Sequence, residues 1–493
     1  MLAPVHKSVS VSDACAGGGP ATALSRSQLF ALQRAFYESA GLTAWSQGIV
    51  PSQVTTNPVI AGAYARVILG YLRDLAREDA IDFSQPLYVL DLGAGSGRLS
   101  YLVHKQLTAL RVCTLWPRLK LHFVLCDLGD ANLPAHERNP RLLPLLASGV
   151  LDCAALPPAD LHSPPALRLL RSGTLLNRER LGNPLIVLAN YFFDSIPHDA
   201  FRVTGGRLEE CRVTLCEPVE ALPAALQLKL SYRPLDPLAG DAGYYRERLW
   251  NQQLAAYAGR LPDTHFLFPV GPLRYLRWLT ELAPQPLLLL AADKGYDYVE
   301  QIRSYQNLAL TQHGGFSLPV NFHAIAELAG ADGFTVLRGP RRESQLKILG
   351  LFRGLRDRGV ETALAFAEQI GRTHPSDRHR VLKQAVMPAM EQPLGYLLSL
   401  LRLSQFDPWF VLTYKDALIQ EAAHGPPALR PELAEDLGRV WENFFPASDP
   451  RDLRAAIAQI LRSAGCLADA AAYDAAPCGT APPEASGIKS DPA

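Results

Sequence analysis

The residues that can do chemistry begin at Leu87-Tyr-Val-Leu-Asp-Leu-Gly-Ala-Gly-Ser-Gly-Arg98, an apolar run that ends in an acid and passes into three glycines at alternate positions. Such a run reads as a buried strand. Glycines at 93, 95 and 97 let the backbone turn sharply out of it and approach a ligand closely. A helix opening near Gly97 presents unpaired N–H groups to a carboxylate. The dinucleotide fingerprint Gly-x-Gly-x-x-Gly would need its third glycine where this chain has Arg98, so NAD is disfavoured.

Two further acids end strand-like runs. Asp127, closing Leu125-Cys-Asp127, can accept hydrogen bonds from both hydroxyls of a cofactor ribose. Asp152, ending the third run, either reaches an adenine amino group or caps the next segment. The fourth run reads Asn183-Pro-Leu-Ile-Val-Leu-Ala-Asn-Tyr-Phe-Phe-Asp-Ser-Ile-Pro197 and places Asn190, Tyr191 and Asp194 at the C-terminal edge of a parallel sheet, the usual ligand crevice of such folds. Asp194 either orients and deprotonates an acceptor or caps the next helix. Phe192 and Phe193 read as wall and core. His198 and Asp199 read as a surface pair, with a base and its orienting partner as the rival. The stretch His313-Gly-Gly-Phe-Ser-Leu-Pro-Val-Asn-Phe-His323 either closes over the site on its glycine hinges or merely connects two elements.

An acid two residues before the first glycine resembles the first motif of class I methyltransferases. That resemblance implies that Asp91, Gly93, Gly95 and Gly97 contact S-adenosyl-L-methionine. The fourth run resembles the MidA-like family of methyltransferases, whose mitochondrial members assist respiratory complex I assembly and whose hallmark is Asn-Glu-Phe-Phe-Asp-x-x-Pro. Asn190, Phe192, Phe193, Asp194 and Pro197 match it, and Tyr191 stands where the family has Glu. The resemblance covers about residues 26–352. It implies methylation of arginine in a protein, a substrate whose guanidinium is held by paired, charged hydrogen bonds from acids. Tyr191 bears directly on that substrate, because the acid it replaces is part of the motif.

Elements must position these residues, and their pattern is α/β. Five apolar runs, at 87–92, 121–127, 149–153, 185–190 and 286–293, alternate with helical stretches, as in a parallel sheet covered on both faces. Runs at 334–338 and 345–352 predict an antiparallel closing hairpin, and so a Rossmann-like, seven-stranded sheet. Helical stretches at 25–40 and 60–77 precede it as a lid or cap. The segment 201–282, with strand-like pieces at 201–204 and 228–232 and a helical piece at 244–259, reads as an insertion. The spacing thus predicts tails at 1–24 and 474–493, a methyltransferase domain at 25–352 and a helical, repeat-like region at 353–473. Asp449 and Pro450 look like the start of a late helix, and Trp409, Trp441, Phe444 and Phe445 like the core of that region.

Bulk properties narrow the function further. Lys plus Arg and Asp plus Glu number 48 each, so no positive field is available to hold a nucleic acid. The apolar run at 286–292 is far shorter than the ~20 residues that cross a bilayer, and the protein reads as cytoplasmic, with no membrane partner. Cysteines at 15, 113, 126, 153, 211, 216, 466 and 478 form no CxxC pair, which predicts neither a disulfide framework nor a zinc site. The expectation is a methyltransferase acting on a protein substrate that docks on the helical region. A small-molecule methyltransferase and a non-catalytic, cofactor-binding scaffold are the alternatives.

Overall fold

Helix α1 (Leu29–Ala40) leads to a longer helix, α2 (Pro58–Arg77), whose cap Asn57 accepts a hydrogen bond from Ile60 N at 3.0 Å with Pro58 at the first helical position. The structure is a computed structural model describing residues 7–8, 10–11, 19–46, 49, 55–112, 119–157, 166–216, 226–239, 243–283, 285–302, 308, 310–313, 315–341, 346–384, 393–446 and 452–475. Strand β1 (Leu87–Leu92) is followed by α3 (Arg98–Val112), β2 (Leu121–Asp127), β3 (Leu151–Ala155) and β4 (Leu185–Asn190). Next come β5 (Asp199–Thr204), β6 (Arg207–Leu215), β7 (Gln227–Pro234), α4 (Arg248–Arg260) and β8 (Thr264–Phe268). The chain then forms α5 (Val270–Leu282), β9 (Leu287–Tyr296), α6 (Phe322–Ala331), β10 (Thr335–Arg338) and β11 (Leu346–Arg353).

The main sheet has the order β10-β11-β9-β4-β1-β2-β3, with the short strand Val320–Asn321 added beside the end of β9. Strands β9, β4, β1, β2 and β3 run parallel, and β11 is antiparallel to both β9 and β10. Alternation explains why the strands are apolar throughout. Leu87 and Val89 of β1 enter a core shared with α2 and α3, whereas Tyr88, Leu90 and Leu92 enter another shared with α5 and α6. From β1 the chain builds outward through β2 and β3, then crosses back to set β4 on the other side of β1. The crevice beyond the carboxyl ends of β1 and β4 is therefore the switch point where ligands bind in open α/β sheets.

Strands β8-β5-β6-β7 form a separate antiparallel sheet. Of these, β6 and β8 lie outside the strand-like pieces expected at 201–204 and 228–232. The N-terminal stretch read as a tail contributes edge strands: Lys7–Ser8 pairs with Thr311–Gln312, Ser10–Val11 with β7, and Thr22–Ala23 with β6. Residues 476–493 of the second tail lie outside the described ones. Cys126, Cys153, Cys211 and Cys466 are free, whereas Cys216 is disulfide-bonded, a link that the scattered spacing did not reveal.

Beyond β11 the chain is mainly helical among the described residues: Phe366 and Ile370 pack into the core beneath the main sheet, and the residues from Leu382 onward build a separate apolar cluster that holds Trp441 and Phe444. Trp409 is only half-buried, and Phe445 belongs instead to the core beneath the main sheet, with its ring 5.7 Å from that of Tyr101. The last long helix of this region starts at Leu453. Its cap is Asp452, which accepts from Ala455 N, while the expected cap, Asp449, lies outside the described residues. Among the described residues no helix is long and apolar enough to cross a membrane.

Candidate functional site

After β1 the backbone takes positive φ at Gly93 (69°), Gly95 (51°) and Gly97 (79°), a region where only glycine is unstrained. Gly93 N and Ala94 N both donate to Cys126 O, at 2.7 and 3.2 Å, tying the turn to β2. A Cβ on Gly93 would stand 2.9 Å from the Phe192 ring, and one on Gly97 would stand 2.9 Å from Leu125. The two glycines thus do different things. Gly93 lets the turn lie against the segment after β4, and Gly97 seats α3 on β2.

A cleft opens at this point. Gly93 to Ser96, Asp127 to Gly129, Asn132 and Asn190 to Phe192 line it, with Ser195 at one end and Arg34, Tyr37 and Glu38 of α1 across from them. Gly97 and Asp91 are not in this lining, a departure from the contacts expected of them. The Asp91 carboxyl is buried beneath the turn and accepts from Ser100 Oγ at 2.7 Å, and burial pushes its pKa up to about 7. Asp91 supports the loop from below.

Asp127 does reach the cleft, where its Oδ1 accepts from Gly95 N at 3.3 Å and its Oδ2 from Asn132 Nδ2 at 3.1 Å. It is half-buried there. Asp152 does not reach it. That carboxylate accepts from three backbone N–H groups, of Cys153 at 2.7 Å, Arg171 at 3.0 Å and Ser172 at 3.0 Å, so it caps the following hairpin and the adenine role is not borne out. The sequence also concealed His136, whose Nε2 lies 2.7 Å from Gly95 O. A carbonyl only accepts, so this nitrogen carries a proton, and burial lowers the ring's pKa.

At the end of β4, Asn190 Oδ1 accepts from Tyr64 OH at 2.8 Å and its Nδ2 donates to Thr55 O at 2.9 Å. Its side chain thereby fixes α2 and the residues before it to the rim. Tyr191 has φ of 52°, a strained conformation for a residue with a side chain, and it lines the cleft. Asp194 lies just behind that wall, buried in the short turn Phe193–Ser195, and accepts from Ser195 Oγ at 2.8 Å. It caps no following helix. His198 is fully buried; its Nε2 donates to Phe193 O at 2.8 Å, and burial drives its pKa down to about 4. Asp199 bonds Ser25 N and Tyr245 OH instead, so the two form neither a surface pair nor a catalytic one. His323 bonds Tyr257 OH, outside the cleft lining.

No family model matches the chain, and no curated protein does. An uncharacterized member of the MidA-like superfamily from Burkholderia thailandensis shows 15% identity over 68% of this chain and 88% of its own, with a TM-score of 0.42. A second member from the same organism, bound to S-adenosyl-homocysteine, shows 14% identity over 70% of this chain and 98% of its own, with a TM-score of 0.40. The CurJ carbon methyltransferase shows 10% identity over 58% of this chain and 53% of its own, with a TM-score of 0.27. At this distance the likeness carries no argument about chemistry, which rests on the site itself.

Three cleft residues on α1 escaped the sequence reading. Arg34, Tyr37 and Glu38 have the i, i+3, i+4 spacing of one helix face, but nothing in that spacing says that the face covers a ligand site. Asp293 is different: it ends the core-facing part of β9 as Asp91 and Asp127 end theirs, a signal that the sequence does carry. Its Oδ2 accepts from Phe193 N at 3.0 Å and from Asp194 N at 3.2 Å. Among the described residues no group of three or more His, Cys, Asp or Glu side chains is placed to hold a metal.

Proposed function

We propose that this chain is an S-adenosyl-L-methionine-dependent methyltransferase. The observation that supports the reading best is the convergence of a positive-φ glycine turn and the Asp127 carboxylate on one cleft at the sheet's switch point. The donor set fits that nucleoside. In this reading Asp127 accepts from the ribose hydroxyls, the Gly93–Ser96 turn gives room for close backbone approach, and Phe192 forms an apolar wall against Gly93.

Bound there, the cofactor supplies an electrophilic methyl group on sulfur. The chain's own work is then alignment, exclusion of water and removal of a proton from the acceptor. Asn190 holds the rim closed through Tyr64 and Thr55, Tyr191 and Phe192 form the wall beside the acceptor space, and α1 covers it through Tyr37. A protein side chain remains the proposed acceptor, and arginine is implied by family resemblance alone. The carboxylates in the lining are Asp127 and Glu38, and Glu38 is paired with Arg34 at 2.8 Å, so no free pair of acids meets a guanidinium.

Calorimetry with S-adenosyl-homocysteine on the full chain tests the reading. Binding is expected for the native protein, and Gly93→Ala is expected to weaken it more than about tenfold, because the new Cβ forces both the turn and Phe192 to move. No heat with that nucleoside, together with tight binding of NAD, would overturn it.

A further inference from the structure

Behind the acceptor end of the cleft two buried carboxyls meet. Asp293, with no exposed surface, takes the backbone N–H groups of Phe193 and Asp194 on its Oδ2, which brings its carboxyl against that of Asp194. Its Oδ1 meets no N–H or O–H of the protein as long as both carboxyls are ionised. Two adjacent carboxylates buried away from solvent are unfavourable both for desolvation and for repulsion, and one shared proton relieves both penalties. From Asp194 a chain leads outward: Ser195 Oγ donates to Asp194 Oδ1 at 2.8 Å, Ser195 lines the cleft, and Tyr37 OH shares a hydrogen bond with Ser195.

Resting on the methyltransferase reading, we propose that Ser195, Asp194 and Asp293 form a proton relay, and that the acceptor is therefore an uncharged O–H or N–H nucleophile rather than a guanidinium cation. As the acceptor bonds to the methyl carbon, its proton passes to Ser195 Oγ while the Ser195 proton passes to Asp194 Oδ1. The electron pair of the broken methyl–sulfur bond stays on sulfur, and the carboxyl pair goes from one proton to two, releasing one to solvent between turnovers. Ser195 is the group that touches the acceptor space; Asp194 and Asp293 act through it and position the proton. The groups facing the pair are Tyr37 of α1, Tyr64 of α2, Tyr191 after β4 and Lys294 of β9, and Lys294 is the one cation among them. Burial pushes both carboxyls up, and the neighbouring Asp194 pushes Asp293 further, whereas Ser195, Lys294 and the hydrogen bond with Asp293 pull Asp194 back down, so that Asp194 is left as the base.

Infrared difference spectra of the full chain, native against Asp293→Asn, test the shared proton directly. In the native-minus-variant difference at neutral pH the carbonyl band of an un-ionised carboxylic acid is expected from the pair, while the partly protonated Asp91 contributes equally to both chains and cancels. Methyl transfer from labelled cofactor to p-cresol and to N-ethylguanidinium tests the acceptor class. The phenol is expected to be labelled, and Ser195→Ala to slow it about tenfold at neutral pH, with the deficit closing as pH approaches the ~10 at which a phenol ionises by itself. A merely structural role for Ser195 would give a deficit independent of pH. Preferential labelling of the guanidinium, a pH-independent deficit, or no acid band overturns the relay. If S-adenosyl-homocysteine still binds in that event, the cofactor reading survives; if it never binds, that reading fails instead.

Discussion

Arg98, the residue that departs from the dinucleotide fingerprint, makes an ion pair with Asp407 of the helical region, Nη2 to Oδ1 at 3.4 Å, with both side chains under a tenth exposed. Removing one partner of such a pair leaves a charge in a poorly solvated place. That costs about 3–5 kcal/mol, whereas removing both is often close to neutral. The long contact and an Arg98 Nε that has no partner of its own put this pair at the lower end, about 3 kcal/mol. Asp407→Asn isolates the charge, because Asp407 also caps the helix Pro408–Thr413 by accepting from Trp409 N, and Asn caps as well as Asp does. Adding Arg98→Met is expected to recover about 2 kcal/mol of that loss. Urea unfolding of the native chain, the two single variants and the double variant gives the coupling energy, and repetition at high salt should leave it nearly unchanged because the pair is buried. A loss below about 1 kcal/mol for Asp407→Asn, or a double variant whose loss equals the sum of the singles, would refute the argument.

Two other expectations separate support from contact. Asp127→Asn and Asp152→Asn should behave oppositely. The first weakens S-adenosyl-homocysteine binding in calorimetry, and the second lowers unfolding stability by roughly 1–3 kcal/mol, through its three backbone donors, with affinity unchanged. Asp91, with a folded-state pKa of about 7 against 3.8 when unfolded, holds its proton in the folded chain across that interval. The folded state then binds more protons, so stability falls as pH rises from about 4 to 7, and Asp91→Asn should gain on the native chain by up to about 4 kcal/mol across that window in paired urea titrations. An unchanged difference between the two chains would show that Asp91 ionises freely.

What the sequence made legible was periodicity and local turn chemistry. The apolar strands, the glycine turn and the position of the fourth-strand motif all follow from short-range patterns whose physical cause is local. What it hid was long-range pairing. Asp91, Asp127 and Asp152 all end strands and look alike in sequence, yet one is held by Ser100, one opens on the cleft and one is saturated by backbone N–H groups. Which fate an acid meets depends on loops that return from elsewhere, such as Arg171 and Ser172 arriving over Asp152. His198 shows the same limit: its neighbour in sequence, Asp199, is not its partner in space.

The helical region illustrates how far such pairing reaches. The last turn of the helix Arg430–Asn443 leaves backbone carbonyls without intrahelical donors, and the sheet domain supplies them: Arg141 donates to Trp441 O at 2.6 Å and to Phe444 O at 3.1 Å, and Tyr101 OH donates to Glu442 O at 2.8 Å. Lys105 adds a positive charge at the same helix end, at 2.9 Å from Glu442 and 2.8 Å from Asn443. Tyr101 and Lys105 stand on α3, the helix that the glycine turn opens, and Phe445 fills the core beside them. A change in how these helices pack therefore reaches the cleft through α3 before it reaches any side chain that lines it. A region that seals its own helix end with the cofactor turn's helix cannot move as an independent module without breaking those bonds.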